Sequence, residues 1–335
     1  MVARTRSRAN GAVVETIKIE SSELVAKVKK TSAPRAKKKA VSKPYIEDVL
    51  GHIVIPEDHS LPQSFVDFHT PEFVKGIQHI VAIDPSLYPV IVHKNFTHFQ
   101  RQSVPQLSDE DLIVSYWYSL ITGVLAQQVS GASAKAVELK FRALFGDLKI
   151  NAHNTLKLTY DQLKSAGFSS QKLNYTLHIS QVFDDPTSNL VKTQFYDESL
   201  LEEIVEELVK LKGIGMWSAK MFALFTLRDL DVFTYDDLGV ARGVARYLGR
   251  RPQLLKEIKT HVHSSEELRA LLKKRSKFEK KDSRRDWVPL HDEYVKQVGL
   301  RFSPYQSPWM LVLWRLGSTN IEILENSSVR SEASS

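Results

Sequence analysis

Between Pro44 and Gly317 the apolar residues fall almost everywhere at the spacing of one helical face, and this periodicity confines the chain to packings of helices. Ser108 followed by Asp111 has the pattern of a capping box. Behind it Leu112, Ile113, Tyr116, Trp117, Leu120, Ile121, Val124 and Leu125 form one stripe. A second helix is expected from about Ser133 to Gly146, and a third after Ser169–Ser170 with Leu173, Leu177 and Phe183 inward. Ser199 and Glu202 form another capping pair, ahead of a helix that ends at Leu211. The last helix is expected to open with Ser307 as N-cap and Pro308 in the first turn, and to close at Gly317. Strand candidates are confined to His52–Ile55 and Pro89–Val92, so the expected class is all-α. No internal repeat is visible.

At 335 residues the chain is long enough for about two domains. Apolar residues are 42% and charged residues 25%, ordinary globular usage that argues against wholesale disorder. No run of eighteen apolar residues exists, so no membrane span is expected. The chain has no cysteine, which excludes disulfides, iron–sulfur clusters, Cys-based zinc sites and a cysteine nucleophile. The eleven histidines show no metal-ligand spacing, and His261 and His263 read as loop.

The net charge of +7 is unevenly placed: residues 1–44 hold twelve Lys/Arg against three Glu, so the rest of the chain is slightly acidic. This segment has few large apolar groups and reads as a disordered basic tail. Lys29, Lys30, Arg35, Lys37, Lys38, Lys39 and Lys43 cluster around Pro34, as in a nuclear localisation signal read by an import receptor. A merely solvated tail has the same composition. Arg4, Arg6 and Arg8 hint at a mitochondrial presequence, against which Glu15, Glu20, Glu23 and the lysines argue. Residues 272–286 carry eight basic and three acidic residues and read as a solvated loop in preference to a DNA-contacting arm.

The most informative segment runs from Leu211 to Ala219, LKGIGMWSA. Two glycines flank one apolar residue between an amphipathic helix and a second helix expected from Met216 to Leu227. The glycines permit unusual dihedrals and close approach of another backbone. The start of the second helix offers unpaired N–H groups to an anion such as a phosphate. A tight helix–helix connection explains the same nonapeptide.

Further motifs follow in order. Asp231-Val232-Phe233 precedes Asp236-Asp237-Leu238-Gly239-Val240; Gln127-Gln128-Val129-Ser130 ends the first helix; Leu163 to Ser169 is LKSAGFS, followed by Lys172; and Ser303-Pro304-Tyr305-Gln306-Ser307 leads to Trp309 and Trp314. Together with the hairpin these resemble the helix-hairpin-helix DNA glycosylase superfamily, in particular the 3-methyladenine (alkylbase) DNA glycosylases of bacteria and fungi, over about residues 70–318. Gln306 stands where that family usually has Arg, Thr234-Tyr235 replaces a Pro-containing dipeptide, and the stretch from Val240 to Pro304 is longer than usual.

The resemblance implies a two-lobed fold: a middle helical domain at 110–230, a second lobe from 70–109 and 231–320, a leader at 45–69 and a flexible end at 321–335. It implies a monofunctional enzyme that excises alkylated purines from double-stranded DNA; the basic tail points to the nucleus, the lack of an apolar run to no membrane partner, and a monomer is expected. A non-enzymatic helix-hairpin-helix DNA-binding protein and a strand-cutting glycosylase that acts on oxidised bases are the alternatives.

The resemblance places Asp237 on the catalytic carboxylate and leaves Asp236 to cap the next helix; without it, both acids read as N-cap residues. Trp217, Trp314 and Tyr305 become candidates for the base pocket, because a flipped, positively charged alkylated base suits electron-rich aromatic faces. Helical tryptophans are also ordinary core residues, as Trp117 and Trp309 are expected to be. Gln128 matches the residue that fills the space left by the flipped base, or is a solvent-exposed glutamine. Gly213, Gly215, Ser218 and Lys220 are candidate phosphate contacts, with Lys220 equally readable as solvated. No cofactor is required by the resemblance, which also implies a monovalent cation, Na+ or K+, on the backbone carbonyls of Val209, Leu211 and Ile214.

Overall fold

The computed structural model describes residues 45–101, 107–278 and 285–318. The basic clusters at 29–43 and the 321–335 segment lie outside the described residues. Among the described residues ten helices run seven residues or longer: α1 Pro71–Ile83, α2 Asp109–Ala126, α3 Gly131–Ala143, α4 Ser170–Asp184, α5 Leu201–Leu208, α6 Met216–Phe222, α7 Leu238–Gly249, α8 Pro252–Ser264, α9 Asp292–Leu300 and α10 Gln306–Gly317. Among the described residues the one β feature is an isolated bridge between His69 and Gln100, so the chain is all-α. Among the same residues no helix is long and apolar enough to cross a membrane.

Local chemistry sets the helix starts. Ser108 Oγ accepts the Asp111 N–H (3.2 Å) and donates to the Asp111 carboxylate (2.8 Å), and Asp109, Glu110 and Asp111 favour the positive end of α2. Ser169 caps α4 by accepting the Lys172 N–H. Other starts differ from the sequence reading. Ser130, not Ser133, caps α3, and it does so by accepting the Ser133 N–H; α3 ends at Ala143, and Gly146, with φ 52°, lies in the turn beyond it. The pair expected at Ser199/Glu202 falls one residue later, where Glu203 accepts the Leu200 N–H (2.8 Å). Ser307 is not the cap of α10; its hydroxyl accepts the Val232 N–H (2.9 Å) and donates to the Asp229 carbonyl (2.7 Å), tying α10 to the segment that leads into the site.

Neither strand candidate forms a strand. Residues 52–55 are turn and irregular chain, while Pro89–Val92 belongs to a Tyr88–Val92 helix. Buried Arg315 of α10 caps the end of that helix, donating to the carbonyls of Val90, Ile91, Lys94 and Asn95 at 2.7–3.1 Å. His261 and His263 lie in α8, not in a loop.

The buried side chains form two cores. One gathers α1, the Tyr88–Val92 helix, α7, α9 and α10, with Ile46, Leu50, Leu61 and Phe65 from the segment before α1. At its centre Trp309 is fully buried, stacked on Phe302 at 4.0 Å and met edge-on by Tyr247. The other core lies between Trp117 and Phe222 and draws on α2 to α6. There Trp117 is buried and donates its indole N–H to Ser180 Oγ (3.1 Å). The chain passes from the second core to the first at Phe222–Ala223, where α6 continues as a π-helical turn, Ala223–Leu227. A hydrogen bond between Ser119 and Thr226 fastens that turn to α2. The turn closes at Arg228 in the left-handed conformation (φ 58°), so the segment from Asp229 onward returns toward α10.

Candidate active site

The segment after the π turn is held to the start of α10. Asp231 accepts Ser303 Oγ–H (2.9 Å) and the Gln306 N–H (3.2 Å), beside the Ser307 contacts. This fixes residues 229–232, from which a turn leads to Asp237, whose N–H donates to the Thr234 carbonyl (3.1 Å).

Asp237 is the N-cap of α7 and its carboxylate is fully oriented. Oδ1 accepts the Val240 N–H (2.9 Å) and the Trp314 indole N–H (2.9 Å); Oδ2 accepts the Trp217 indole N–H (3.0 Å). An ionised carboxylate has about four acceptor sites. Three are used here, and the remaining one lies on Oδ2, beside the exposed tryptophan. Capping therefore belongs to Asp237, and the assignment of that role to Asp236 is corrected. Asp236 instead meets Lys277, whose ammonium donates to the Asp236 carbonyl (2.8 Å) and sits 3.3 Å from its carboxylate. The two functions separated in the sequence reading, cap and oriented acid, fall on one residue.

Trp217 is 46% exposed, and Met216 and Leu238 beside it are also exposed, an apolar rim around a carboxylate. Trp314 is partly buried and stacked on Phe225 of the π turn (6.0 Å, 25° between planes), which in turn meets His98 at 4.6 Å. Burial, helped by nearby Arg228, pushes the His98 imidazole below its ordinary range. The Trp314 indole comes so close because residue 239 has no side chain: a Cβ there would stand 2.6 Å from Trp314 Cδ1 and 3.1 Å from Asp237 Oδ1. Gly239 and Phe225 are thus site-building residues that the sequence reading did not assign. Gly239 stood inside a quoted motif; Phe225 carried no signal of its own. Tyr305 is placed elsewhere. It caps the far end of α10, nine residues and about 13 Å of helix rise from Trp314. Its ring packs on His79 and over Gly76 of α1.

The hairpin and Gln128 form a second group. Gly213 has φ 89°, a left-handed conformation. Its carbonyl accepts the Gln127 side-chain amide (2.8 Å), and a groove of about 530 Å³ brings Gly213, Gln128, Lys172 and Tyr175 together. Gln128 is exposed and itself left-handed (φ 58°); Lys172 holds the helix end before it by donating to the Leu125 carbonyl (2.7 Å). Gly215, the N-cap of α6, has ordinary dihedrals, so the unusual backbone expected of both glycines is found only at Gly213. Ser218 is half-buried in the first turn of α6. Lys220 is half-buried. It donates to the Phe233 carbonyl (2.8 Å), and burial lowers its pKa against the pull of Asp236 and Glu202. That contact ties α6 to the turn bearing Asp237.

Val209 is the C-cap of α5, and Leu211 and Ile214 follow in the turn, with the Leu211 carbonyl accepting the Ile214 N–H (3.1 Å). Carbonyls at the negative end of a helix suit a monovalent cation. Among the described residues no cluster of His, Asp and Glu has the makings of a metal site.

The site is thus an oriented carboxylate beside two indoles in an all-α frame. The model of the HhH-GPD superfamily of base excision DNA repair proteins matches residues 121–274, and the chain belongs to that superfamily. Among curated proteins it is similar to the DNA-3-methyladenine glycosylase of Saccharomyces cerevisiae, 32% identical over 279 residues, covering 80% of this chain and 88% of that protein. The DNA-3-methyladenine glycosylase 1 of Schizosaccharomyces pombe is 29% identical over 147 residues, 43% of this chain and 63% of that one. The crystal structure of a DNA-3-methyladenine glycosidase from Bacillus halodurans shares the fold, with a TM-score of 0.51 and 21% identity over 76% of this chain and 92% of that one.

Proposed function

We propose that the chain is a monofunctional DNA glycosylase that flips an alkylated purine, such as 3-methyladenine or 7-methylguanine, out of duplex DNA and hydrolyses its N-glycosidic bond. The observation that carries this reading is the Asp237 carboxylate, held by three donors with one acceptor site left beside exposed Trp217. As the bond from C1′ to the base nitrogen breaks, the sugar becomes cationic and the base leaves with the electron pair. Asp237 stabilises that cation and orients a water; the water oxygen bonds to C1′ and its proton goes to solvent. Trp217 and Trp314 offer faces to a base whose methylation makes it positive and a good leaving group. Tyr305, packed on α1, serves to seat α10. The hairpin at Gly213–Gly215, with Ser218 in the first turn of α6, lies along the phosphates, and Gln128 enters the space that the base vacates. A monovalent cation on the carbonyls of Val209, Leu211 and Ile214 would add positive charge beside the DNA backbone.

Strand cleavage needs an amine to attack C1′. In the superfamily's strand-cutting members, the resemblance implies, a lysine stands two residues after the second hairpin glycine, where this chain has Trp217. The next lysine along α6, Lys220, is held by the Phe233 carbonyl. The test is a set of duplexes, each with one defined lesion. Free alkylated base and an intact abasic strand are expected, with no borohydride-trapped protein–DNA adduct. An adduct formed in proportion to base release would overturn the monofunctional reading.

The protein acts as a monomer in the nucleus, and the basic clusters at 29–43 recruit the import receptor. A variant beginning at Pro44 is expected to excise a lesion at the full-length rate in a short duplex and to lose nuclear enrichment. Unchanged enrichment would remove the import role, and lost excision would show that the tail serves chemistry.

A further inference from the structure

Residues 272–278 of the basic stretch at 272–286 do not stand free in solvent. They are clipped to the start of α9. His291 Nδ1 accepts the Glu293 N–H (3.1 Å), so its proton sits on Nε2, which donates to the Lys274 carbonyl (2.8 Å). Ser276 is buried and its hydroxyl donates to Asp292 Oδ1, while the Lys277 N–H donates to Asp292 Oδ2 (3.2 Å). These three attachments to one helix end hold the backbone at Lys277, and its side chain reaches the turn that carries Asp237.

There it meets one peptide unit. The N–H of the Asp236–Asp237 peptide donates to the Thr234 carbonyl, and the carbonyl of the same peptide accepts from Lys277 Nζ (2.8 Å). A peptide unit is planar and moves as one body. Pinned at both ends, it cannot rotate, and the Cα of Asp237 is fixed with it. The indoles of Trp217 and Trp314 orient the carboxylate from its side-chain end; Lys277 fixes it from the backbone end. The ion pair with the half-exposed Asp236 carboxylate adds little alone, so the carbonyl contact is the one that matters.

The geometry points to Lys277 as a positioning residue for base excision: its ammonium holds the peptide that aims Asp237, and residues 274–277, clipped to the start of α9, deliver it. This rests on the reading of Asp237 as the catalytic carboxylate. The competing role for a half-exposed lysine near DNA is a phosphate contact, and the two roles differ in what they change. A positioning lysine alters the chemical step and leaves affinity alone, because a small misplacement of a reacting group slows chemistry steeply. A phosphate-binding lysine alters affinity and lowers the slope of log affinity against log salt by about one.

The experiment uses the full chain and a duplex bearing one 7-methylguanine. Single-turnover base release, and duplex affinity across a salt series, are measured for wild type, Lys277→Met, Lys277→Arg and Asp237→Asn. Lys277→Met is expected to slow release about tenfold or more with affinity, salt slope and thermal midpoint unchanged, and Lys277→Arg to restore part of the rate. Release within twofold of wild type in Lys277→Met, with Asp237→Asn inactive, would overturn the inference and leave the catalytic reading standing. A Lys277→Met variant with normal release and a reduced salt slope would overturn it in favour of a phosphate contact. An Asp237→Asn variant with wild-type release would fell the catalytic reading, and the inference with it.

Discussion

Replacing Asp237 by Asn is expected to slow base release by about 10²-fold or more while duplex affinity stays within a few-fold of wild type. The change removes the charge and one indole hydrogen bond while keeping the side chain's shape. Asn is as good an N-cap as Asp, so the side-chain oxygen still accepts the Val240 N–H and α7 keeps its start. The new amide group, however, cannot accept from an indole. It takes the place of Oδ2 and faces Trp217 with a donor, and the Trp217 indole hydrogen bond is lost. Alanine would be a poorer probe, since it also removes the cap and costs about 1 kcal/mol of stability. Asp236→Asn keeps the backbone carbonyl that Lys277 holds and should change release only a few-fold. Single-turnover release from a duplex with one defined alkylated purine decides the matter. Wild-type release by the Asn variant would remove Asp237 from the chemistry.

The contrast between residues 236 and 237 also marks how far the sequence reaches. Two adjacent acids before a helix are equivalent as a local pattern, and in the fold the Val240 N–H, the indoles of α6 and α10 and Lys277 distinguish them. Local signals were legible: Ser108 and Ser169 cap the helices they precede, and the tryptophans expected in the cores, Trp117 and Trp309, are buried there. Signals that depend on distant partners were not. Pro89–Val92 reads as a short β-branched run, yet it is helical because Arg315, far along the chain, satisfies its terminal carbonyls. Lys220 looked like a surface lysine until the Phe233 carbonyl took it. Lys277 was one of many charges in a basic stretch, and its role depends on a contact 41 residues away along the chain.

The two hairpin glycines show the same limit, and they yield the other large expected effect. By pattern Gly213 and Gly215 are alike. In the fold, a Cβ on Gly213 would stand 2.3 Å from Tyr175 Cδ2 and 2.5 Å from Cγ, on a backbone at φ 89°. A Cβ on Gly215 would meet nothing within 4 Å, on a backbone at φ −93°. Gly213→Ala should therefore cost about 1–2 kcal/mol for the left-handed residue alone, with a further 1–3, roughly, for displacing the ring. Because the turn moves, affinity should fall about tenfold or more for unrelated duplex sequences alike, since phosphate contacts carry no sequence information. Gly215→Ala should leave the thermal midpoint nearly unchanged, so any affinity it loses reports a phosphate approaching that open position. Tyr175→Ala in the Gly213→Ala background separates the two costs of the first variant: the clash is relieved and the backbone strain stays. Partial recovery of stability in the double variant is the expected result. Wild-type affinity in Gly213→Ala would mean that the hairpin does not carry the DNA.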